Sequence, residues 1–121
     1  NDYEAELLVT RTGKPIGELA KFVKALIVTR GAEGSEIHAD GKMIRIPGVS
    51  VSQIVDPTGC GDAYRAGLLY GIAEGWAWEK TGRLASLMGA IKIAHRGGQN
   101  HKLARDEIAA RYRAAYGAEL W

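Results

Sequence analysis

A turn that leads into a closely packed helix constrains this chain more than any other segment. Residues 55–67 read Val-Asp-Pro-Thr-Gly-Cys-Gly-Asp-Ala-Tyr-Arg-Ala-Gly. Gly59 and Gly61 allow the backbone to bend sharply, and the small residues that follow predict a helix lying close to its neighbours. The first N–H groups of a helix have no partner within the helix, so they can bind an anion. This segment is therefore a candidate anion site.

The carboxylate of Asp62 requires an explanation, because a negative charge beside an anion site repels the ligand that the site attracts. One explanation is catalytic, since a carboxylate can remove the proton from a hydroxyl group that attacks a phosphoryl group. The other is structural, with Thr58 or Asp62 capping the helix and the glycines serving only the turn. These residues by themselves leave both explanations open.

Length and composition limit the classes of protein to which the chain can belong. Its 121 residues suffice for one modest domain, and 46% hydrophobic with 25% charged residues is ordinary for a globular protein. The net charge is +2 and the basic residues are scattered, which argues against nucleic-acid binding. The chain shows no apolar run of membrane-spanning length, no signal peptide and no zinc-ligand spacing, and its single cysteine excludes an internal disulfide. We therefore expect a cytoplasmic protein that binds neither nucleic acid nor membranes.

The spacing of apolar and polar residues predicts an α/β fold in which helices cover a sheet. Helices are expected at 2–10, 16–24, 60–74, 80–96 and 104–116. Strands are expected at 26–29, 36–39, 43–46 and 51–55, with the middle two joined as a hairpin around Asp40-Gly41. The last strand would lead directly into the turn before Asp62.

A glycine-containing segment, residues 29–34, follows the first predicted strand and reads Thr-Arg-Gly-Ala-Glu-Gly. Glycines at the carboxyl end of a strand let the backbone approach a ligand closely, at the edge where α/β sheets usually bind. The same residues also suit an ordinary turn. They lack the Gly-Lys-Ser/Thr ending of a P-loop, which disfavours a Walker-type ATPase.

Three motifs occur in one order: Asn-x-x-Glu at residues 1–4, Thr-x-Gly-x-x-Gly at 29–34 and Asp-x-Thr-Gly-x-Gly-Asp at 56–62. The last, with the small-residue helix after it, resembles the second signature of the ribokinase-like (PfkB) family of sugar and nucleoside kinases. The resemblance implies a ribokinase-like three-layer α/β/α sandwich, with residues 1–121 as the C-terminal nucleotide-binding and catalytic part of the kinase domain. Because family members are longer and this chain lacks an initiator Met, we expect the N-terminal substrate-binding and lid half to be absent.

The resemblance also implies an activity, the ATP-dependent phosphorylation of a primary hydroxyl group on a sugar or nucleoside. Adenosine and ribose are the expected small-molecule acceptors. Asp62 would accept the hydroxyl proton, while the amides of Gly59, Cys60 and Gly61 would stabilise the transferring phosphoryl group. A nucleotide-binding fragment without transfer activity and a non-catalytic scaffold stay open as alternatives, and so does assembly as a homodimer.

Nucleotide and metal contacts follow from the same resemblance. ATP contacts are expected at Asn1, Thr29, Gly31, Gly34 and Ser86. Glu4 would hold Mg²⁺ through water, which suits an ion that keeps several waters. A monovalent cation such as K⁺ is expected at Asp56, Thr58, His95, Gly97 and His101. Without the family, Asn1 and Glu4 are exposed polar residues at a frayed end, Ser86 is a packing residue, and residues 96–101 are a helix end followed by a polar loop.

Overall fold

The computed structural model describes residues 1–51, 53–94 and 104–121. Within these residues, the helices are α1 (Asp2–Thr12), α2 (Ile16–Leu19), α3 (Cys60–Ala73), α4 (Trp78–Ile93) and α5 (Arg105–Tyr116). The strands are β1 (Ala25–Thr29), β2 (Ser35–Ala39) and β3 (Lys42–Ile46), and Ala20–Phe22 and Gly31–Glu33 form short 3-10 helices. The predicted order of the helices and of the first three strands is confirmed.

The helix predicted at 16–24 is shorter than expected. It ends at Leu19 and continues as a 3-10 helix, and Val23 is already extended, with φ −134° and ψ 162°. The apolar residues keep a helical spacing, but the chain must become extended in order to enter β1 at Ala25. The requirement of the sheet therefore overrides the local pattern.

The three strands form one antiparallel sheet in the order β1-β2-β3. Ile37 in the central strand lies opposite Ile27 on one side and Ile44 on the other, so these side chains share one face of the sheet. Asp40 and Gly41 both have positive φ, 53° and 73°, as the two central residues of a type I′ turn require. The predicted Asp-Gly hairpin is confirmed.

The prediction of a strand at 51–55 is wrong. Residues 51 and 53–55 pair with no strand among the described residues. Instead, the N–H groups of Val55 and Asp56 both donate to the carbonyl oxygen of Ile93, at 3.0 and 3.1 Å. Branched side chains favour an extended backbone whether or not a strand lies beside them, which is why the pattern resembled a strand. The end of α4 holds this segment, and the sheet does not.

α4 covers the apolar face of the sheet and also packs against α3. A β-carbon added at Gly82 of α4 would come within 2.7 Å of the Ile37 side chain and 2.8 Å of the Ile46 side chain. A β-carbon added at Gly67 of α3 would come within 2.6 Å of the Cα atom of Ala85 in α4. Glycines at both contacts allow close approach, and the side chains of Ile37 and Ile46 are fully buried.

A second buried cluster joins α4 to α5 and to the last residues of the chain. Its members are Leu84, Leu87, Ile91, Tyr112 and Leu120. α4 therefore contacts the sheet on one side and α5 on another, as expected of a layered α/β fold. Among the described helices, none combines the length and apolar character needed to cross a membrane.

Candidate active site

The turn that precedes α3 is built by its own hydrogen bonds. The Oδ1 atom of Asp56 accepts a bond of 2.9 Å from the N–H of Thr58, and the Pro57 carbonyl accepts one of 3.2 Å from the N–H of Cys60. Gly59 then adopts φ 79° at the N-cap of α3, a left-handed conformation that favours glycine. These local bonds and the glycine account for the sharp entry into the helix.

The first turn of α3 leaves amides without an acceptor. Neither Thr58 nor Asp62 caps this helix, because no side chain accepts a hydrogen bond at its N-cap. In the part of the chain that the structure describes, the N–H groups of Gly59, Gly61 and Asp62 have no hydrogen-bond acceptor. The capping alternative is therefore wrong. Unpaired donors at the start of a long helix are suited to bind an anion.

The amide of Cys60, unlike those of Gly59 and Gly61, already has a hydrogen-bond acceptor, so the expectation that it stabilises the phosphoryl group needs correction. It donates to the Pro57 carbonyl, so Asp62 replaces Cys60 among the amides that a ligand can use. The Cys60 thiol is free and half-buried, and its carbonyl oxygen would lie 3.5 Å from a β-carbon added at Gly89 of α4. This contact positions the turn against the last part of α4.

Asp62 lies in this first turn with its side chain 84% exposed. Its Oδ1 atom accepts a hydrogen bond of 2.8 Å from Nη1 of Arg65, one turn further along α3. The carboxylate is thus open to an incoming ligand and is not sealed in the interior, as a proton acceptor for a substrate hydroxyl must be.

Asn1 and Glu4 form a capping box at the start of α1. The N–H of Glu4 donates to Oδ1 of Asn1 at 2.8 Å, and the backbone nitrogen of Asn1 donates to the Glu4 carboxylate at 2.6 Å. The motif is therefore ordered and not frayed.

The carboxylate of Glu4 fits only one kind of metal site. The described residues contain no group of three or more side chains that could hold a metal ion. A single exposed carboxylate suits an ion that keeps most of its waters and is bound mainly by substrate phosphates, as Mg²⁺ commonly is. Glu4 therefore fits a contact with Mg²⁺ through water and does not fit a tightly coordinated metal.

The two glycines of segment 29–34 have different surroundings. Gly31 is exposed with φ 57°, and a β-carbon there would meet no atom within 4 Å. Gly34 is buried with φ 97°, and a β-carbon there would overlap the backbone of residues 46–48. A ligand can approach Gly31, whereas the chain itself fills the space at Gly34. Gly34 therefore has a structural role, and its contact with the nucleotide stays a prediction.

A buried hydrogen bond connects this segment to α3. Tyr64, two residues after Asp62, donates its hydroxyl proton to Oγ of Ser35 at 2.8 Å. Ser35 directly follows the segment and pairs with Thr29 across the sheet. Burial raises the pKa of Tyr64, so the hydroxyl keeps its proton at neutral pH. The bond holds the segment near the first turn of α3, a role of Tyr64 that none of the sequence motifs indicated.

A cavity of about 490 Å³ lies between the segment after β3, the last turns of α4 and α5. Its lining is mostly small and apolar, and consists of Gly48, Val49, Ser50, Val51, Leu87, Ala90, Ile91, Ala94, Arg111, Ala114 and Ala115. A cavity of this size and character can hold a flat aromatic ring. It is therefore the candidate adenine pocket.

Ser86, the predicted adenine contact, does not belong to this lining. Its hydroxyl bonds to that of Tyr116, which in turn donates to the carbonyl of Pro47 at 3.1 Å. Burial raises the pKa of Tyr116 to about 12, with the Ser86 bond acting in the opposite direction. Ser86 therefore packs against Tyr116 in the structure, and its contact with adenine stays a prediction.

Only Asp56 and Thr58, among the residues predicted to bind a monovalent cation, belong to the described part of the chain. His95, Gly97 and His101 lie outside the described residues. Asp56 and Thr58 are described, and the bond between the Asp56 carboxylate and the Thr58 N–H shapes the turn.

The chain shares its sequence and its fold with known kinases. Residues 1–105 match the model of the pfkB family of carbohydrate kinases. The nucleoside kinase of Burkholderia thailandensis, solved in complex with inosine, is 51% identical with a TM-score of 0.94, over 98% of this chain and 39% of that one. The same kinase solved in complex with ADP-inosine gives a TM-score of 0.93 at 51% identity, over 98% of this chain and 37% of that one.

Two further relatives come from other organisms. The nucleoside kinase of Methanocaldococcus jannaschii, an archaeal member of the ribokinase family, is 33% identical over 111 residues, which are 92% of this chain and 37% of that protein. Its crystal structure gives a TM-score of 0.86, over 93% of this chain and 38% of that one. Bacillus subtilis ribokinase is 31% identical over 109 residues, which are 89% of this chain and 36% of that protein.

These similarities cover nearly all of this chain, which spans less than two fifths of the length of these relatives. The neighbours share a ribokinase fold, which confirms the expected α/β class. Together with the ordered signature turn before Asp62, the match over residues 1–105 shows that the chain belongs to the pfkB family of carbohydrate kinases.

Proposed function

We propose that this protein transfers the γ-phosphoryl group of ATP to a primary hydroxyl group of a nucleoside. The observation that carries the proposal is the exposed carboxylate of Asp62 beside the unpaired amides of Gly59 and Gly61. The similarity to the Burkholderia nucleoside kinase, which was solved with inosine, supports a purine nucleoside as the acceptor. Adenosine, the nucleoside expected from the sequence, belongs to the same class.

In this proposal Asp62 accepts the proton of the attacking hydroxyl group as the hydroxyl oxygen bonds to the γ-phosphorus. The bond between the γ-phosphorus and the oxygen that bridges it to the β-phosphorus breaks, and ADP leaves with that oxygen. Proton transfer to a positioned group contributes about 10²- to 10⁴-fold to the rate of such a step. The amides of Gly59, Gly61 and Asp62 donate to the phosphoryl oxygens, which carry the charge of the transition state. Because the turn and the helix hold these donors in place, little reorganisation is needed during the reaction.

ATP and Mg²⁺ are the proposed cofactors. The triphosphate would lie between Gly31 and the first turn of α3, with Thr29 beside Gly31. Adenine would occupy the 490 Å³ cavity. Mg²⁺ supplies neutralising charge on the phosphates when bound. Glu4 would hold one of its waters, and Asn1 would contribute by orienting Glu4 through the capping box. A role for K⁺ at Asp56 and Thr58 stays a prediction.

A panel of acceptors tests the proposal. The full-length protein is incubated with Mg-ATP and either adenosine, inosine, a pyrimidine nucleoside, ribose or fructose, and the phosphorylated product is measured by mass spectrometry. We expect the purine nucleosides to react with the highest kcat/KM and their 5′-deoxy analogues not to react. Faster phosphorylation of fructose than of any nucleoside would contradict the nucleoside assignment.

Ribose is the second candidate acceptor, because Bacillus subtilis ribokinase is also similar to this chain. Ribose and a nucleoside carry the same primary hydroxyl group, so the ratio of kcat/KM for ribose to that for inosine decides between these two acceptors. A titration with Mg-ATP in the absence of acceptor distinguishes a further alternative. Nucleotide binding without product on any acceptor would indicate a nucleotide-binding protein, and the absence of binding would indicate a scaffold.

A further inference from the structure

The ion pair between Asp62 and Arg65 is the feature of the candidate site that the proposed reaction does not explain. Nη1 of Arg65 lies 2.8 Å from Oδ1 of Asp62, and the Arg65 side chain is 72% exposed. Exposed ion pairs contribute little to stability, because water screens both charges and two long side chains lose freedom. Stabilisation of the fold is therefore a weak reason for an arginine at this position.

Arg65 also lies beside other parts of the site. A β-carbon added at Gly61 would be 4.0 Å from Nη1 of Arg65, so the guanidinium group lies next to a glycine whose amide is unpaired. The charge of Arg65 thus lies beside both Asp62 and Gly61.

The charges of the proposed reaction call for a cation at this point. The triphosphate and the Asp62 carboxylate are both negative, and their repulsion increases as bound substrates exclude water. A guanidinium group paired with the carboxylate offsets that repulsion. Its bond occupies Oδ1, which leaves Oδ2 for the acceptor hydroxyl.

We propose that Arg65 is a positioning residue for Asp62. It holds the carboxylate through Oδ1 so that Oδ2 meets the acceptor hydroxyl, and it balances the carboxylate charge when the triphosphate binds. The inference rests on the proposed kinase activity. Arg65 acts through Asp62, and direct contact with the phosphates is the competing explanation that the experiment distinguishes.

The experiment compares Arg65→Gln, Arg65→Lys and Arg113→Gln in the full-length protein, with inosine and Mg-ATP as substrates. Arg113 is the matched control, because it forms an exposed pair of 2.6 Å with Glu119 beyond α5. We expect Arg65→Gln to lower kcat about tenfold, as a misplaced catalytic group does, with both KM values nearly unchanged. Lysine keeps the charge without the fork of donors, so Arg65→Lys should recover part of the loss. Arg113→Gln should match the wild-type protein, and all three should unfold at the same temperature.

Combination with Asp62→Asn separates the two explanations. If Arg65 acts through Asp62, then Arg65→Gln causes almost no further loss of kcat in the Asp62→Asn background. A similar loss in both backgrounds, with a raised KM for ATP, overturns the inference in favour of phosphate contact. A wild-type kcat in Arg65→Gln also overturns it, while leaving the kinase proposal intact. If the wild-type protein phosphorylates no acceptor, the proposed function itself has failed and this inference fails with it.

Discussion

Asp62 is chemically notable because of its neighbours and not because of its position alone. Acidic side chains are favoured in the first turn of any helix, where they interact with the helix dipole, and α5 also carries Asp106 there. At Asp62, however, the carboxylate is exposed, does not cap its helix and stands beside unpaired amides. The side chain also has a cationic partner in Arg65. These neighbours are what support a catalytic role.

Replacement of Asp62 by Asn should lower kcat about a hundredfold or more, because the amide cannot accept the hydroxyl proton. Binding of Mg-ATP should persist, and the unfolding temperature should change little because the side chain is exposed. Steady-state kinetics on inosine and calorimetric titration with Mg-ATP measure the two effects. Asp106→Asn is the matched control, since Asp106 also lies in the first turn of a helix. Near-native turnover of Asp62→Asn would rule out the proposed base.

Alkylation of Cys60 should inhibit phosphoryl transfer. The thiol is free and half-buried at the start of α3, and a bulky adduct there would crowd the amides of Gly59 and Gly61. Treatment of the full-length protein with N-ethylmaleimide, followed by an activity assay, measures the loss. Cys60→Ala should retain activity and resist the reagent. Equal inhibition of the two proteins would place the sensitive thiol elsewhere.

At the scale of elements, the position of the turn depends on how closely α3 and α4 approach each other. A β-carbon at Gly67 would lie 2.6 Å from Cα and 2.9 Å from N of Ala85. These are backbone atoms, which cannot move aside without displacing α4. The same pair of helices sets the contact between Cys60 and Gly89. The site therefore depends on small residues along this interface.

Gly67→Ala should destabilise the protein even though alanine is the better helix former. Overpacking of a close contact costs about 1–3 kcal/mol, and the gain in helix propensity is only about 1 kcal/mol. Urea denaturation of the full-length protein should show a lower midpoint. Gly17→Ala is the matched control, because Gly17 is helical and a β-carbon there meets nothing within 4 Å. A midpoint for Gly67→Ala at or above the wild-type value would show that the helices adjust without cost.

At the scale of the whole molecule, Tyr116 links three parts of the chain. It lies on α5, donates to the Pro47 carbonyl after β3 and bonds to Ser86 on α4. Its ring lies 5.2 Å from that of Tyr112, a buried residue of the second cluster. Burial raises its pKa from the ordinary 10.0 to about 12. The hydroxyl group of Tyr116 is therefore protonated in the folded protein at neutral pH.

This pKa predicts loss of stability at alkaline pH. A raised folded-state pKa means that the unfolded chain ionises first, so the contribution of Tyr116 is complete below pH 10 and disappears between pH 10 and about 12. The free energy of unfolding should therefore fall more steeply over this range in the wild-type protein than in Tyr116→Phe. Chemical denaturation at a series of pH values measures both slopes. Equal slopes for the wild-type protein and Tyr116→Phe would show that Tyr116 has the same pKa in the folded and unfolded states.

Features with local causes followed from the sequence alone. Asp40 and Gly41 predicted the hairpin because a two-residue turn needs residues that tolerate positive φ. Gly59 predicted the sharp entry into α3 for the same reason. The family was also recognisable, because the order of three short motifs is a property of the chain and not of its packing.

Features that depend on distant neighbours were decided only by the tertiary structure. The carbonyl of Ile93 holds Val55 away from the sheet, Tyr116 takes the hydroxyl of Ser86, and residues 46–48 fill the space at Gly34. Each partner lies at least twelve positions away along the sequence, beyond the range over which local patterns act.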